Sequence, residues 1–293
     1  MGLSIHIDRG GTFTDAIATF AGETKEPIIV KLLSEDPHNY KDASLEAIRR
    51  ILEQVQGKRL AREDKLDTSA IDTIRCGTTV ATNSLLERKG EPCALVTTKG
   101  FKDCLIIGNQ TRPSIFDLAV HKPEVLYTRV LEVDERVTLE DYAEDPEHHR
   151  TRVEEGDEDI CMGRSGEPVR ILKRPDRRII ETDLREIFEN GIKSVAVCLA
   201  HSYTFPDHEQ VIGEVARSIG FSHISLSSEL MPMIKFVPRA NSATADAYLS
   251  PVVRRYISGF ESGFEGGLGS ESSRKGEGAR CEFMQRFVCL STS

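Results

Sequence analysis

The 293-residue sequence contains no tryptophan and no run of about 18 consecutive apolar residues, the length that a membrane-spanning helix needs. Its first residues do not pair a basic segment with an apolar one, so a secretory signal peptide is not predicted. The seven cysteines include no C-x-x-C pair, which argues against a structural zinc site. We therefore expect a cytoplasmic protein without membrane contact.

The sequence also lacks a concentration of basic residues. It has 38 lysines and arginines against 47 acidic residues, and the stretch from Glu132 to Asp159 alone holds thirteen acids and three arginines. Because a nucleic-acid backbone is bound by a basic surface, no nucleic-acid partner is expected. The acidic region from about Glu132 to Lys173 contains glycines and shows no sustained periodicity, so we expect a long surface excursion there.

The apolar pattern near the start of the chain predicts strands. Leu3, Ile5 and Ile7 alternate with small or polar residues, and two further apolar runs follow at Phe13–Phe20 and Pro27–Leu33. The connections are too short for helical crossovers, which favours an antiparallel meander.

Further along, helix and strand signals alternate. Asp42 and Gly57 bracket a segment with apolar residues at helical spacing, which predicts a capped helix. A short strand, a helix from about Val80 to Lys89, and the strand Cys93–Thr98 come next. A second alternation after Asp183 predicts another α/β unit with a mainly parallel sheet.

The strongest local motif is the string from Asp8 to Asp15, Asp-Arg-Gly-Gly-Thr-Phe-Thr-Asp, between two predicted strands. Adjacent glycines let a backbone approach an anion closely, and their N–H groups can converge on it. Thr12 and Thr14 add hydroxyl groups, while Asp8 and Asp15 offer the oxygen ligands that Mg²⁺ prefers. A plain hairpin turn would need the glycines but neither the threonines nor the flanking carboxylates, so we favour phosphate binding.

A second motif runs from Arg75 to Gly90 and contains Gly-Thr-Thr-Val-Ala-Thr-Asn at a strand-to-helix junction. The threonines would lie near a helix N-terminus, where free N–H groups favour an anion. Taken alone, this pattern favours ordinary threonine capping over anion binding.

Both motifs resemble those of the hydantoinase/oxoprolinase family, and Arg9 resembles the oxoprolinase branch. Segments similar to the family's occur in the same order at Gly108–Leu118, Ala200–Glu209 and Ser227–Pro232. The resemblance implies an α/β fold of the actin-like ATPase kind, shared with sugar kinases and heat-shock ATPases, of which this chain would hold an incomplete N-terminal lobe. It also implies ATP and Mg²⁺ as cofactors.

The resemblance assigns roles to individual residues. The expected catalytic residues are Asp8, Thr12 and Asp15, and the expected metal ligands are Asp8 and Asp15. The expected nucleotide-binding residues are Arg9, Gly10, Gly11, Thr12, Thr14, Gly77, Thr78, Thr79 and Asn83. Arg112 could hold a substrate carboxylate, although a solvated or ion-paired arginine fits equally well. His201, His208 and Glu229 could act as bases or ligands, but their spacing forms no compact metal triad.

The implied reaction opens the ring of 5-oxo-L-proline to give L-glutamate and is driven by ATP hydrolysis. This reaction is a step of glutathione metabolism in the γ-glutamyl cycle. Family members are expected to form homo-oligomers. The expected domains are 1–229, the beginning of a second domain over 230–268, and an aberrant or disordered tail over 269–293. After Gln285 the sequence departs from the family's Ser-Asp-Gly-Gly continuation, so this chain alone is expected to be inactive. Two alternatives remain. The chain is part of an ATP-dependent hydantoinase or carboxylase, or it is a non-catalytic product of a truncated gene model.

Overall fold

The computed structural model describes residues 2–22, 25–109, 116, 118, 122–141, 146–147, 151–154, 156–266, 268, 279–285 and 288–291. The chain forms two compact units. One combines Met1–Lys89 with Val252–Ser293, and the other consists of Gly90–Pro251. Over the described ranges, no helix has both the length and the hydropathy that a bilayer crossing demands.

The strands are β1 (Leu3–Arg9), β2 (Phe13–Phe20), β3 (Ile28–Leu33), β4 (Ile71–Thr78), β5 (Cys93–Thr98), β6 (Arg129–Val133), β7 (Arg136–Leu139), β8 (Ile160–Met162), β9 (Pro168–Lys173), β10 (Ser194–Cys198), β11 (His223–Leu226), β12 (Arg280–Gln285) and β13 (Val288–Ser291). The helices are α1 (Ala43–Gln56), α2 (Val80–Leu86), α3 (Cys104–Ile107), α4 (Arg177–Glu189), α5 (Asp207–Ile219), α6 (Ser227–Leu230) and α7 (Phe236–Glu261).

The first unit is built on a six-stranded sheet in the order β13-β12-β4-β1-β2-β3. The predicted antiparallel meander of β1, β2 and β3 is confirmed, and β1 also pairs in parallel with β4. Leu3, Ile5 and Ile7 face a core that includes one side of α1. The predicted limits of α1 are confirmed, since the Asp42 carboxylate accepts from the backbone N–H of Leu45 at 2.9 Å and Gly57 ends the helix with a φ of 64°.

Strand β12 lies within the range where the sequence favoured a disordered or aberrant tail, and here the structure differs. It pairs in parallel with β4, and its Cys281 and Phe283 side chains are buried in the core of the first unit. The Phe283 ring packs edge-on against Phe260, with 5.3 Å between the ring centroids. Alternation of buried and exposed side chains over only a few residues is too short a pattern to stand out from a loop.

The second unit contains the predicted parallel sheet, with the order β11-β10-β5-β6. Helices α4 and α5 cover one face, where Leu184 and Ile212 are fully buried. The opposite face of the sheet packs against the alanines of α7, among them Ala243.

Among its described residues, part of the acidic region is ordered as a sheet rather than as the long surface excursion that the sequence suggested. A three-stranded sheet in the order β7-β9-β8 occupies part of it. Its small core consists of Val137, Val169, Ile171 and Phe205. The strands have between three and six residues, so each carries too few apolar side chains to reveal a period in the sequence.

Candidate functional site

The turn between β1 and β2 is held from its core side. The backbone N–H of Gly10 donates to the carbonyl of Phe13 at 3.0 Å, which closes the turn. Ser34 braces it twice, because its hydroxyl donates to the carbonyl of Gly10 at 2.7 Å and its backbone N–H donates to the carbonyl of Thr12 at 2.9 Å. The Thr14 hydroxyl is fully buried and lies 3.0 Å from the Ser34 hydroxyl. Thr14 therefore supports the turn from within, whereas Thr12 is exposed.

The two sequence motifs, both expected to bind the nucleotide, lie side by side in the structure. In the parallel pairing of β1 with β4, Asp8 lies beside Gly77 and Arg9 lies beside Thr78. The backbone N–H and the hydroxyl of Thr79 both donate to the carbonyl of Arg9, each at 3.3 Å. The glycine turn and the start of α2 thus meet at one edge of the sheet.

Asn83, at the end of the first turn of α2, lies next to the glycine turn. Its side-chain amide donates to the Thr79 hydroxyl at 3.2 Å. The same amide nitrogen would lie 3.4 Å from a Cβ atom added at Gly11. Simple capping by Thr79 is not observed, because its side chain accepts no helix N–H, although the Thr78 hydroxyl accepts from the backbone N–H of Val80 at 3.2 Å.

A row of polar side chains crosses the solvent-facing side of this sheet. Asp8 and Asp15 are directly opposed on β1 and β2, and Lys31 of β3 is opposed to Asp15. Lys31 donates to both Asp15 oxygens, at 2.8 and 3.1 Å. Asp8 is exposed and makes no ion pair within the described part of the chain. Its Oδ1 atom would lie 3.6 Å from a Cβ at Gly77, so the glycine leaves open space beside this carboxylate.

The Arg9 side chain lies on the other face of the sheet. Its guanidinium donates to the Asp42 carboxylate at 2.8 Å and lies 4.8 Å above the centroid of the Tyr256 ring. Burial by itself would lower the pKa of Arg9, but Asp42 and Tyr256 outweigh it and raise the pKa above its usual value. Arg9 therefore ties the end of β1 to the N-cap of α1 and to α7.

Cys76, beneath the same cluster, is not positioned as a nucleophile. It is fully buried, and burial raises the pKa of its thiol to about 11. A thiol at neutral pH is a weak nucleophile. Local sequence patterns do not indicate the support of the turn by Ser34, Asp42 and Tyr256, because these residues come from other segments of the chain.

The remaining candidates lie elsewhere. Arg112 falls outside the described residues. His208 is buried in the second unit beside Glu135, and Glu229 lies in α6. Glu209, in the first turn of α5, is fully buried, and its carboxylate accepts from the backbone N–H groups of Leu199 and Ser228. No cluster of three or more metal-binding side chains occurs among the residues described.

Comparison with known proteins identifies the family. The model of the hydantoinase/oxoprolinase N-terminal region matches residues 4–220. The chain belongs to the hydantoinase/oxoprolinase family. It is 52% identical to 5-oxoprolinase of Saccharomyces cerevisiae over 262 residues, which are 89% of this chain and 20% of that protein. An uncharacterized protein of Schizosaccharomyces pombe is 65% identical over 97% of this chain and 22% of its own length. The chain thus spans about a fifth of the length of these curated relatives.

Two solved structures have a similar fold. The ATP-dependent caprolactamase of Pseudomonas jessenii matches with a TM-score of 0.63 and 21% identity, covering 96% of this chain and 35% of its own. Nucleotide-free acetone carboxylase matches with a TM-score of 0.65 and 16% identity, and the match covers 99% of this chain and 37% of the carboxylase chain. The predicted α/β fold of the actin-like ATPase kind is confirmed.

Proposed function

We propose that this chain supplies the phosphate-binding part of the nucleotide site in an ATP-dependent 5-oxoprolinase. The observation that carries the proposal is the open carboxylate of Asp8, which lies beside Gly77 and next to the Gly10–Thr12 turn. Relatives that are named 5-oxoprolinase and share about half of the residues support the choice of reaction. Its substrate would be 5-oxo-L-proline and its cofactors ATP and Mg²⁺.

Asp8 and Asp15 fit a magnesium ion that is shared with phosphate groups. Mg²⁺ is commonly bound through one or two carboxylates, several waters and substrate phosphates. The two aspartates supply two opposed carboxylates on one face, and Gly77 leaves the space that any other side chain would fill. Since Lys31 already neutralises Asp15, Asp8 would be the principal ligand and Asp15 would orient waters.

The exposed Gly11 and Thr12 offer backbone N–H groups and one hydroxyl to a phosphate. Thr12 is the side chain best placed to donate a hydrogen bond to a transferred phosphoryl group. Thr14, Arg9, Thr79 and Asn83 would keep this turn in place rather than touch the nucleotide. When bound, ATP would activate the lactam carbonyl by phosphorylation, and the protein's contribution would be positioning and stabilisation of charge.

A carboxylase or hydantoinase reaction is the second candidate, because the acetophenone carboxylase gamma subunit of Aromatoleum aromaticum is also a relative. That protein is 30% identical to this chain, compared with 52% for the yeast 5-oxoprolinase. The difference favours the oxoprolinase reaction.

Calorimetry with ATP tests the proposal. Asp8→Asn keeps the shape of the side chain and removes its charge, so affinity for MgATP should fall about tenfold, the equivalent of roughly 1.4 kcal/mol. Asp72→Asn is the matched control, since Asp72 is an exposed aspartate near the opposite end of β4, and it should leave affinity unchanged. Chelation of Mg²⁺ should weaken binding to the wild type far more than to Asp8→Asn. Equal MgATP affinity of the wild type and Asp8→Asn would contradict the proposal.

A further inference from the structure

The Gly10–Thr12 turn has to be held by its neighbours, because Gly10 and Gly11 have no side chains of their own. A glycine backbone samples many conformations unless other groups restrain it. A loop that is ordered before its ligand arrives loses less conformational freedom on binding, and its affinity is higher for that reason. Ser34 holds the turn from one side. The residue that precedes the two glycines, Arg9, holds it from the other.

Arg9 is anchored through both its backbone and its side chain. Its carbonyl accepts from the backbone N–H and the hydroxyl of Thr79, each at 3.3 Å. Its guanidinium donates to one oxygen of Asp42 at 2.8 Å, and the other Asp42 oxygen accepts from the backbone N–H of Leu45 at 2.9 Å. The Arg9 and Asp42 side chains are only 18% and 16% exposed. The start of the turn is therefore tied to the first turns of α1 and α2.

Tyr256 provides a flat surface for the Arg9 side chain. The central carbon of the guanidinium lies 4.8 Å from the centroid of the Tyr256 ring. Such a pair attracts more strongly where water is largely excluded. Burial raises the pKa of Tyr256 above its usual value, so the phenol is neutral at pH 7 and the arginine contacts the ring face rather than a phenolate. A planar guanidinium that stacks on a ring has a defined orientation, which a lysine ammonium would lack.

The Tyr256 ring is itself fixed by the core of the first unit. Its hydroxyl lies 3.2 Å from the hydroxyl of Ser44 in α1. Its ring packs edge-on against Phe283 of β12, with 6.2 Å between the centroids. Tyr256 belongs to the part of α7 that lies in the first unit. Contacts with three different elements therefore decide where Arg9 can place its guanidinium.

We propose that Tyr256 is a positioning residue for the phosphate-binding turn and that it acts through Arg9. The ring fixes the guanidinium, the guanidinium fixes the end of β1, and the two glycines continue from that fixed point. Nucleotide affinity thus depends on the docking of residues 252–261 of α7, although Tyr256 packs against the core and Asp8 is exposed. This inference rests on the proposed function and adds to it a residue from a distant part of the sequence.

Two leucine substitutions on the same helix separate positioning from stability. Tyr256→Leu removes the ring beside Arg9. Phe260→Leu removes a buried ring one turn further along α7, which packs against Phe264 and Phe283. Both substitutions should lower the melting temperature. In calorimetry with MgATP, Tyr256→Leu should weaken affinity about fivefold or more, whereas Phe260→Leu should stay within about twofold of the wild type.

Two milder variants test the stacking itself. Tyr256→Phe keeps the ring and should restore affinity to within about twofold of the wild type. Arg9→Lys keeps a positive charge for Asp42 but has no planar group, so it should weaken MgATP binding about fivefold even if Tyr256→Leu does not fold. Wild-type affinity in Tyr256→Leu or Arg9→Lys would overturn the proposal. Equal losses in Tyr256→Leu and Phe260→Leu would also overturn it, because they would reflect a general loss of stability.

Amide NMR of ¹⁵N-glycine-labelled protein supplies a readout that needs no nucleotide. Tyr256→Leu should shift or broaden the signals of Gly10 and Gly11, and Phe260→Leu should leave them in place. Gly213 of α5 is an internal reference that neither substitution should affect. If the wild type does not bind MgATP, the proposed function fails, and these signals still decide whether Tyr256 orders the turn. If the wild type binds MgATP but neither its affinity nor these signals respond to Tyr256→Leu, only the positioning role is refuted.

Discussion

Asp8 and Asp15 are two carboxylates on directly opposed residues of neighbouring strands. Like charges in this position repel each other, and Lys31 reaches only Asp15. Residues that weaken the fold in this way are expected where a cation is to be bound. The arrangement therefore favours a binding role for Asp8 over a structural one.

This repulsion leads to a prediction about stability. Without nucleotide or Mg²⁺, Asp8→Asn should raise the free energy of unfolding by about 0.2 to 1 kcal/mol, because one of two opposed charges is removed. Urea denaturation measures this, with Asp72→Asn as the control that should change stability less. A clear loss of stability in Asp8→Asn would mean that its charge supports the fold.

Burial, together with Arg239, lowers the pKa of His201, and this shift predicts a dependence of stability on pH. The unfolded histidine titrates near about 6.5 and the folded one at a lower pH, so the unfolded state binds more protons in between. Stability from this group is thus fully present above about pH 6.5 and is lost as the pH falls toward the folded value. Melting temperatures between pH 7.5 and 5 should show a smaller decrease for His201→Asn, which tolerates the positive φ of 58° at this position, than for the wild type. Equal decreases would contradict the assignment.

At the level of single residues, the sequence predicted which groups meet but not which way they face. The Asp8–Asp15 motif and Gly77–Thr79, which the sequence assigned to one nucleotide, lie side by side because β1 and β4 pair in parallel and end together. The support of the turn by Ser34 and the contact of Arg9 with Tyr256 depend on tertiary packing between distant segments, which local patterns do not encode.

Gly77, near the end of strand β4, is a second feature of the proposed site. Gly77 does not have a positive φ, and a Cβ there would meet Asp8 at the ordinary contact distance of 3.6 Å. Gly77→Ala should therefore fold normally and yet weaken MgATP binding about tenfold or more, because the methyl group fills the space beside the carboxylate.

The control for this substitution is Gly259→Ala in α7, where no atom lies within 4 Å of the new Cβ. It should preserve binding and stabilise the helix slightly, since alanine favours helices more than glycine does. Calorimetry and thermal melting on the same samples separate the two effects. If Gly77→Ala binds MgATP as the wild type does, the open space has no function in binding.

Helices and strands were predictable where the sequence pattern that specifies them lies within their own residues. Helix α1 has a cap, an apolar stripe and a glycine stop within its own residues, and strands β1 to β3 follow one another with short connections. Strands β7 to β9 and β12 were missed because each is short and is stabilised by partners from other parts of the chain. The strand pairing, rather than the local sequence, decides their structure.

At the scale of the whole molecule, the first unit depends on a late segment of the chain. Phe283 is 2% exposed and packs against Phe260 and Tyr256. Phe283→Ala should lower the free energy of unfolding of this unit by about 3 to 5 kcal/mol, as for other large aromatic side chains removed from a core. Met284→Ala is the control, because Met284 is 60% exposed and its loss should cost less than about 0.5 kcal/mol. Similar effects of both substitutions would show that β12 is not part of the core.

The first unit is assembled from two segments that are separated by the whole of the second unit. During translation, β4 leaves the ribosome long before β12, its neighbour in the sheet. At 5–20 residues per second, the roughly 200 intervening residues correspond to about 10 to 40 s of synthesis. The contiguous second unit can fold in that interval, while the edge of β4 is still open to pairing with other chains. A nascent chain of this protein is therefore expected to need chaperone protection until β12 has been made.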